Sequence, residues 1–158
     1  MTAMPVEIVP IEEGHIEGFH RTLDFVARER RYLALLEAPP LESTRAFVLD
    51  HIKRGHPQFV ALVAGEVVGW CDVTAKDRPI HAHTGVLGMG LLPPFRGQGI
   101  GADLMQRTLA AAKAFGLHRV ELTVRQDNAN AMALYRKIGF ATEGVQRMRF
   151  RSMARTRT

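Results

Sequence analysis

The spacing of apolar and polar positions along the chain predicts alternating strands and helices. Alternation of the two classes indicates strands, and apolar residues three and four apart indicate helices. Ile16, Phe19, Leu23 and Val26 have the helical spacing, and Pro39-Pro40 ends that segment. In chain order the pattern predicts a strand over 6–9, a helix from 15, a helix from Ser43 or Thr44 to Gly55, strands over 58–64, 67–73 and 81–92, a helix over 99–115, a strand over 120–124, a helix over 130–138, and strands over 140–143 and 145–151.

This order of elements predicts an α/β fold with one mixed sheet. The strand ending at Leu92, the helix from Gly99 and the strand at Val120 form a β-α-β crossover, which makes the two strands parallel if they share a sheet. The earlier hairpins are antiparallel. We therefore expect a mostly antiparallel sheet with one parallel pair and helices on both faces. The length of 158 residues favours a single domain over 1–158.

Composition narrows the class of protein further. Hydrophobic residues make up 46% and charged residues 23%, which excludes a disordered chain. No apolar run approaches the roughly 20 residues that span a bilayer, and no secretory signal is visible at Met1. The one cysteine, Cys71, lies in an apolar strand and is expected to be a buried small hydrophobe. These features predict a cytoplasmic protein without a membrane partner, and no Cys/His cluster has zinc spacing, so no metal is expected.

The net charge of +5 comes from one end of the chain. Five arginines and no acid follow Gly144, at positions 147, 149, 151, 155 and 157. Such a segment would suit an anionic partner such as nucleic acid. The alternative is a strand with a solvated basic face and a frayed end. The sequence favours the alternative, because Phe150 is the only aromatic residue there on which a base could stack.

The most informative stretch runs from Leu91 to Ala102, from a strand through a glycine-rich loop into a helix. Glycines let backbone N–H groups converge, and a helix N-terminus adds unpaired donors, so this pattern predicts a phosphate or pyrophosphate site to which Arg96 adds charge. Walker A spacing is missing. Gly97, Gly99 and Ala102 formally match a Rossmann fingerprint, but that motif normally lies in the first β-α turn of its domain, whereas four strands precede it here.

Two motifs together resemble the GNAT superfamily of N-acetyltransferases. The first is Arg96-x-x-Gly99-x-Gly101 after a strand, which resembles the acetyl-CoA loop of that superfamily. The second runs from Val124 through Asn128, Ala131, Leu134, Tyr135, Lys137 and Gly139 to Phe140. One helix and one strand separate the two motifs, as in the superfamily.

The resemblance implies a set of binding residues. A bulge at Gly88-Met89-Gly90 would splay the parallel strands, and pantetheine would pair with the backbone near Met89 and Leu91. Asn128 matches an asparagine that contacts the pantetheine arm, and Tyr135 matches a tyrosine near the thioester sulfur. Backbone amides of the loop would hold the pyrophosphate, namely those of Arg96, Gly97, Gln98, Gly99, Ile100, Gly101 and Ala102.

The chemistry implied by the resemblance needs few protein groups. A neutral amine attacks the acetyl carbonyl, a backbone N–H near Met89 or Gly90 stabilises the oxyanion, and Tyr135 protonates the leaving thiolate. The alternative for Tyr135 is a packing role. An alkyl ammonium must also lose a proton, since its pKa is near 10.4. His83, expected on the same strand face as His81, is the candidate base, and a strand-edge histidine with an ordinary hydrogen bond is the alternative.

The sequence thus predicts an acetyl-CoA-dependent N-acetyltransferase that acetylates a primary amine by direct attack in a ternary complex. The acceptor would be a small-molecule or peptide amine, bound near the charged residues of the first two helices. Two alternatives remain: a CoA-binding or interaction protein that has lost catalysis, and a Rossmann-type dinucleotide binder. A homodimer and a monomer are both compatible with the sequence.

Overall fold

A computed structural model of the chain describes residues 5–33, 35–77, 79–81 and 83–144. Five strands and four helices make up its regular structure. The strands are β1 (Val6–Pro10), β2 (Gln58–Val63), β3 (Glu66–Ala75), β4 (Thr84–Leu91) and β5 (Arg119–Glu121). The helices are α1 (Ile16–Arg28), α2 (Leu41–Arg54), α3 (Ile100–Phe115) and α4 (Ala129–Ile138).

The strands form one sheet in the order β1-β2-β3-β4-β5. Neighbouring strands are antiparallel from β1 to β4, whereas β4 and β5 are parallel and joined through α3. The expected mixed sheet with one parallel pair is therefore confirmed. The Rossmann alternative is wrong, because that fold requires a mostly parallel sheet.

The two faces of the sheet bury two separate apolar clusters. On one face, α1 and α2 cover a cluster that includes Phe19, Val48 and Trp70, with the Phe19 and Trp70 rings edge to face at 5.6 Å. On the other face, α3 covers a cluster that includes Cys71 and Leu104, against which α4 also packs. Alternation along β3 directs Trp70 to the first face and Cys71 to the second. Helices on both faces, as expected, thus follow from an apolar strand whose two sides are both covered.

Glycines predict where α2 and α3 end more accurately than polar residues predict where α2 begins. Gly55 and Gly116 adopt left-handed conformations just after α2 and α3, with φ of +73° and +110°, and end both helices where predicted. The predicted start of α2 at Ser43 or Thr44 is wrong, because the helix begins at Leu41 after Pro40. Thr44 lies inside the helix and is buried.

Two strand predictions in the second half of the chain are wrong at one end, and a third predicted strand is absent. β4 begins at Thr84 rather than at residue 81, because Pro79–His81 forms a 3-10 turn before it. β5 ends at Glu121, three residues earlier than its apolar alternation predicts. Residues 140–144 are not in a strand, and the strand predicted over 145–151 lies outside the described residues.

No helix in the described ranges is both long and apolar enough to cross a membrane.

Candidate functional site

A gap opens between β4 and β5 part-way along the parallel pair. The two strands pair only at Thr84 with Arg119, Gly85 with Val120 and Val86 with Glu121. β4 then continues to Leu91 against β3 alone. Residues 84–86 of β4 are thus paired with β5, whereas residues 87–91 have an edge that faces the gap.

The backbone groups that face this gap are those of Leu87, Met89 and Leu91. The Leu92 amide donates to Val68 and the Thr84 carbonyl accepts from Lys76, which fixes the even-numbered residues of β4 as those bonded to β3. The odd-numbered residues therefore direct their N–H and C=O groups into the gap. The predicted contacts near Met89 and Leu91 thus lie on the edge that a ligand can reach.

The predicted bulge at Gly88–Gly90 is absent from this strand pair. The register between β3 and β4 runs from Gly69–Leu91 to Ala75–Gly85 without a shift. The strands separate because β5 ends at Glu121, not because β4 bulges. As a consequence, the Gly90 amide is used in the ladder to β3, and of the two candidate oxyanion donors only Met89 faces the gap.

The glycine-rich loop after β4 presents a row of backbone donors. A 3-10 turn at Pro93–Phe95 leads into Gly97 and Gly99, whose φ angles are +75° and +85°. No described residue accepts a hydrogen bond from the six amides of 97–102, because they precede the first intrahelical bond of α3, from Asp103 to Gly99. The amide of Arg96 is different, since it donates to Pro93 at 3.2 Å. Of the amides predicted to hold the pyrophosphate, those of 97–102 are thus the ones without an acceptor among the described residues.

Side chains of this loop point away from the row of amides. Ile100 is buried in the α3 core, and the Gln98 amide folds back to donate to the Pro94 carbonyl at 2.8 Å. Gly101 lies where β4, α3 and α4 meet, with Met89 and Leu134 nearest to the position of its missing Cβ. Backbone amides, the α3 N-terminus and glycines of positive φ therefore form a surface that suits an anion such as a pyrophosphate.

The Arg96 side chain does not extend toward this surface. Its guanidinium donates to Glu29 Oε1 and Oε2 at 2.5 and 3.1 Å and to the Tyr32 hydroxyl at 3.3 Å, and it lies 4.5 Å from the Tyr32 ring centroid. Its Nε donates to the Leu91 carbonyl at 3.0 Å. The prediction that Arg96 adds charge to the phosphate site is not supported by this geometry. Instead, the side chain joins the loop to the end of α1.

A second arginine makes the corresponding connection on the other side of the gap. Arg125, between β5 and α4, donates to the Arg30 carbonyl at 3.0 Å. Arg30 has a positive φ of 57°, which is uncommon for a residue with a side chain. Residues 29–32, here called the α1 end segment, therefore contact both sides of the gap.

Tyr135 lies on α4 and packs against the α3-side core. The helix is capped by Asn128, the residue predicted to contact the pantetheine arm, whose Oδ1 accepts from the Ala131 amide at 3.2 Å. The Tyr135 ring lies 6.0 Å from the Phe140 ring. Burial, with a smaller effect from Cys71, raises the pKa of Tyr135 to about 12. The phenol therefore keeps its proton at neutral pH and can act as a donor.

The structure does not bring His83 together with Met89 and Tyr135. His83 precedes β4 instead of lying on it, so its predicted placement on a strand face with His81 is wrong. Its Nδ1 is 3.3 Å from the Gly116 carbonyl, and its ring centroid is 5.0 Å from that of His118. Six residues of extended chain, about 20 Å, separate it from Met89. The alternative to a catalytic base, a histidine with an ordinary hydrogen bond, agrees with this environment.

A buried carboxylate lies much closer to the gap. Asp72 is in the middle of β3, directly opposite Gly88 of β4, and is 7% exposed. Its Oδ1 lies 3.4 Å from the point where a Cβ of Gly88 would be. Burial raises the pKa of Asp72 to about 7. The sequence signal for this residue is an acid within the apolar run Val67–Val73, facing a glycine on the next strand.

Asp72 belongs to a pocket on the α1/α2 face of the sheet. We call it the β3–β4 pocket, and its lining consists of Phe47, Asp72, Thr74, Ala75, Lys76, Asp77, Val86, Leu87 and Gly88. Near it, α2 and β2 bury polar atoms for which the described residues offer no hydrogen-bond partner: Thr44 Oγ1, His51 Nδ1, His56 Nδ1 and both side-chain heteroatoms of Gln58. Buried polar groups normally have partners, so this cluster is unusual for a purely structural core.

Several charged side chains in and after α1 are paired. Arg28 bonds Asp24 and Glu37, both at 2.9 Å, and Glu29 bonds Arg96. They are therefore less available to an acceptor than their clustering in the sequence indicates. Among the described residues, no group of three His, Cys, Asp or Glu side chains could hold a metal ion.

Comparison with known proteins gives one family. A family model described as the acetyltransferase (GNAT) family matches residues 22–140. The chain is 33% identical over 92 residues to an L-amino acid N-acetyltransferase, AaaT, of Escherichia coli, a match that covers 58% of this chain and 57% of that protein. It is 35% identical over 104 residues to an N-alpha-acetyltransferase of Sulfolobus acidocaldarius, covering 60% and 62%. The chain thus matches less than two thirds of the length of these curated relatives.

Solved structures show the same fold at low sequence identity. An acetyltransferase of the GNAT family from Streptococcus pneumoniae superposes with a TM-score of 0.84 at 24% identity, over 92% of this chain and 90% of that one. A GNAT superfamily phosphinothricin acetyltransferase from Sinorhizobium meliloti, solved with acetyl-CoA, superposes with a TM-score of 0.88 at 18% identity, over 98% and 85%.

Proposed function

Since this chain belongs to the GNAT family of acetyltransferases, we propose that it transfers an acetyl group from acetyl-CoA to a primary amine by direct attack in a ternary complex. The observation that carries the proposal is the continuity between the free edge of β4 and the row of amides over 97–102. An amide-bearing arm can pair with the strand edge, and a pyrophosphate can bind the amides that follow it.

The residues present suit acetyl-CoA, which would supply the acetyl group as a thioester. The amides of 97–102 would hold the pyrophosphate, and the Met89 and Leu91 backbone would pair with the pantetheine arm. The Leu91 carbonyl already accepts from Arg96, so its amide is the group that remains for this pairing. Asn128 would contact the same arm through its amide nitrogen, because its oxygen caps α4.

Two groups of the chain would act on the reacting atoms. The Met89 N–H would stabilise the negative charge that develops on the carbonyl oxygen, since it is the donor of the Gly88–Gly90 stretch that faces the gap. The Tyr135 hydroxyl, which stays protonated at neutral pH, would protonate the leaving sulfur. Direct attack is favoured over an acetyl-cysteine route, because burial raises the pKa of the Cys71 thiol. His83 takes no part in this scheme.

The acceptor we propose is the α-amine of an amino acid or of a peptide N-terminus. Support comes from the names of the relatives, which include an L-amino acid N-acetyltransferase, N-alpha-acetyltransferases and an L-methionine sulfoximine/L-methionine sulfone acetyltransferase of Pseudomonas aeruginosa that is 30% identical over 107 residues. The β3–β4 pocket is the natural entrance for such an amine, since it lies on the sheet face opposite to α3 and adjoins Gly88.

An assay of thiol release from acetyl-CoA tests this function. Purified protein is incubated with acetyl-CoA and a panel of L-amino acids, short peptides and simple alkyl amines, and the acetylated products are identified by mass spectrometry. We expect turnover with at least one α-amine. Binding of acetyl-CoA without turnover of any amine in the panel would instead favour a CoA-binding protein that has lost catalysis.

A further inference from the structure

We propose that Asp72 is the general base that takes the proton from the acceptor's ammonium group, and that the β3–β4 pocket binds that ammonium. This inference rests on the proposed function. It assigns to Asp72 the role for which the sequence suggested His83.

The strand geometry places the Asp72 carboxylate over β4, the strand that borders the gap. Asp72 and Gly88 are directly opposite each other on β3 and β4, and their side-chain positions lie on the α1/α2 face. Because Gly88 has no side chain, the carboxylate extends over β4, with Oδ1 3.4 Å from the Cβ position of that glycine. Beyond Gly88 lies the edge of β4 that faces the gap, where the Met89 amide is free of β3. A base over Gly88 is therefore one residue from the proposed oxyanion donor.

The neighbouring glycine shows that the opening at Gly88 is specific. Gly90 also lacks a side chain on this face, but the Trp70 indole covers it and occupies the position of its missing Cβ. Gly88 meets only the Asp72 carboxylate. Of these two glycines, the uncovered one is thus the one beside the acid.

Among the residues that the structure describes, no unpaired charge lies beside the Asp72 carboxylate. The side chains around it come from every packed element: Gln58 from β2, Phe47 and His51 from α2, and Lys76 and Asp77 from the segment after β3. Lys76 is paired with Glu121 at 2.6 Å, and Asp77 with Arg54 at 2.9 Å. Burial lowers the pKa of His51 to about 4, so this histidine is neutral. Burial alone, without a charged partner, raises the pKa of Asp72.

A cationic amine is the ligand this environment lacks. An acid buried without a cation is costly, and a positive charge placed beside it recovers part of that cost. Gln58 stands next to Asp72 on the same face, 4% exposed and with both side-chain heteroatoms unpartnered among the described residues. Its amide can bond the carboxylate or the incoming ammonium. The pocket therefore has an acid, a polar neighbour and an open approach.

The proton balance of the step is complete. One N–H bond of the ammonium breaks and its proton forms an O–H bond on Asp72, which leaves the amine nitrogen with a free electron pair. That pair forms the new C–N bond as the C–S bond breaks. Tyr135 gives its hydroxyl proton to the leaving sulfur, and the second N–H bond of the nitrogen then breaks and its proton restores that hydroxyl. Asp72 returns its proton to solvent.

The main test is Asp72→Asn, which keeps the shape of the side chain. With the best acceptor from the amine panel, we expect kcat/KM at pH 7 to fall about 10²–10⁴-fold, the range for a positioned base. The Kd of acetyl-CoA should change by less than about threefold. The wild-type rate should rise with pH through about 7, and the variant should lose this step. Asp50→Asn, an exposed acid on α2 outside the pocket, is the matched control and should behave as wild type.

A second pair of probes separates a base from a structural residue. Ethylamine is protonated at pH 7, whereas methoxyamine is neutral at that pH and needs no base for its first proton. We expect the defect of Asp72→Asn with ethylamine to exceed that with methoxyamine by at least tenfold. Equal losses with both amines would mean that the substitution only disturbs the site, and would overturn the proposal.

Two further measurements do not depend on turnover. The ¹³C resonance of the Asp72 carboxyl should titrate well above the ordinary value of about 3.9, and ethylammonium should shift it; a resonance that titrates near 3.9 and ignores ethylammonium would overturn the proposal. Gly88→Ala should raise the KM of the acceptor by about tenfold while acetyl-CoA binds as before, with Gly14→Ala as control.

The outcomes distinguish this inference from the function on which it rests. If wild type binds acetyl-CoA but acetylates no amine, the proposed function fails and the base fails with it. If wild type acetylates an amine and Asp72→Asn does so equally well at every pH, the function stands and only the assignment of Asp72 is wrong.

Discussion

The two faces of the sheet contribute different chemical groups to the proposed site: backbone on one face and side chains on the other. On the α3 side, the proposed binding surface is backbone: the free edge of β4 and the amides of 97–102, supported by an apolar core around Leu104. On the α1/α2 side, the proposed site is formed by side chains: Asp72 and its neighbour Gln58, both buried. In the proposed function, the first half would bind groups that any acyl-CoA carries, and the second half would face the acceptor.

This difference has a consequence for mutation. A backbone site is sensitive to φ and to Cβ atoms, and hardly to the charge of its side chains. A side-chain site is sensitive to charge and pH and tolerates changes in the loop. Substitutions in the backbone site should therefore change mainly cofactor affinity, whereas substitutions of Asp72 and its neighbours should change mainly rate, acceptor KM and pH dependence.

The largest expected effect is on the backbone side. Gly99→Val should reduce acetyl-CoA affinity by more than about 100-fold, because φ of +85° is strained for a β-branched residue and α3 could not begin in its present conformation. Isothermal titration of the folded variant measures this. The control is Gly14→Val, at an exposed glycine without a positive φ, which should bind normally. Normal binding by Gly99→Val would remove the loop from the site.

The next largest effect is expected at Tyr135, which packs on the α3 side of the sheet and would act on the reacting atoms. Tyr135→Phe keeps the ring packing against Phe140 and removes the hydroxyl. The value of kcat should fall about 10²–10⁴-fold, as for a positioned acid, and acetyl-CoA affinity should stay within about threefold. Both are measured on the same preparation. An unchanged kcat, with chemistry shown to be rate-limiting, would leave Tyr135 a packing residue.

On the side-chain face, stability should depend on pH through Asp72. The folded state raises the pKa of this carboxyl from 3.8 to about 7, so it binds a proton more tightly than the unfolded chain does. Its contribution to the free energy of unfolding therefore falls as pH rises from about 4 to 7 and is constant above. Asp72→Asn should remove a cost of up to roughly 4 kcal/mol at pH 8 and little at pH 4.

Urea unfolding of both proteins at several pH values measures that difference. Other acids, such as Asp24 with its lowered pKa, change stability in the opposite sense but contribute equally to both proteins. A difference in unfolding free energy that is the same at pH 4 and pH 8 would contradict the shift.

A smaller effect is expected where the two faces are joined. Arg96→Ala removes the bonds to Glu29 and Leu91 and leaves Glu29, which is 22% exposed at its side chain, without its partner. We expect a loss of about 1–3 kcal/mol of stability and only a modest change in acetyl-CoA affinity, because the guanidinium faces the α1 end segment. Glu29→Gln should cost less. A loss of affinity that exceeds the loss of stability would mean that Arg96 turns to the phosphates on binding.

The same contrast explains what the sequence could predict. The loop of 97–102 was predictable because a backbone site requires glycines, and their spacing is visible in one dimension. The order of strands followed from the β-α-β crossover around α3. The proposed role of Asp72 could not be predicted from the sequence, because it depends on the pairing of Asp72 with Gly88 on another strand. Apolar alternation predicted a strand over 120–124, but β5 ends at Glu121, where that residue pairs with Lys76.

The smallest expected effect tests whether the backbone site extends from Gly99 to Gly101. Gly101 follows Gly99 by two residues but lies in the first turn of α3 without a positive φ. A Cβ there would meet Met89, Leu134 and Leu91 at 3.4–3.7 Å, which is ordinary contact. Gly101→Ala should therefore leave acetyl-CoA affinity within about threefold and raise stability by about 0.5–1 kcal/mol, the usual preference of a helix for alanine. Thermal unfolding and titration with acetyl-CoA check both. If affinity fell as far as in Gly99→Val, the ligand would have to contact the Cα of Gly101, and the site would require close approach along the first turn of α3 as well as the positive φ of the loop.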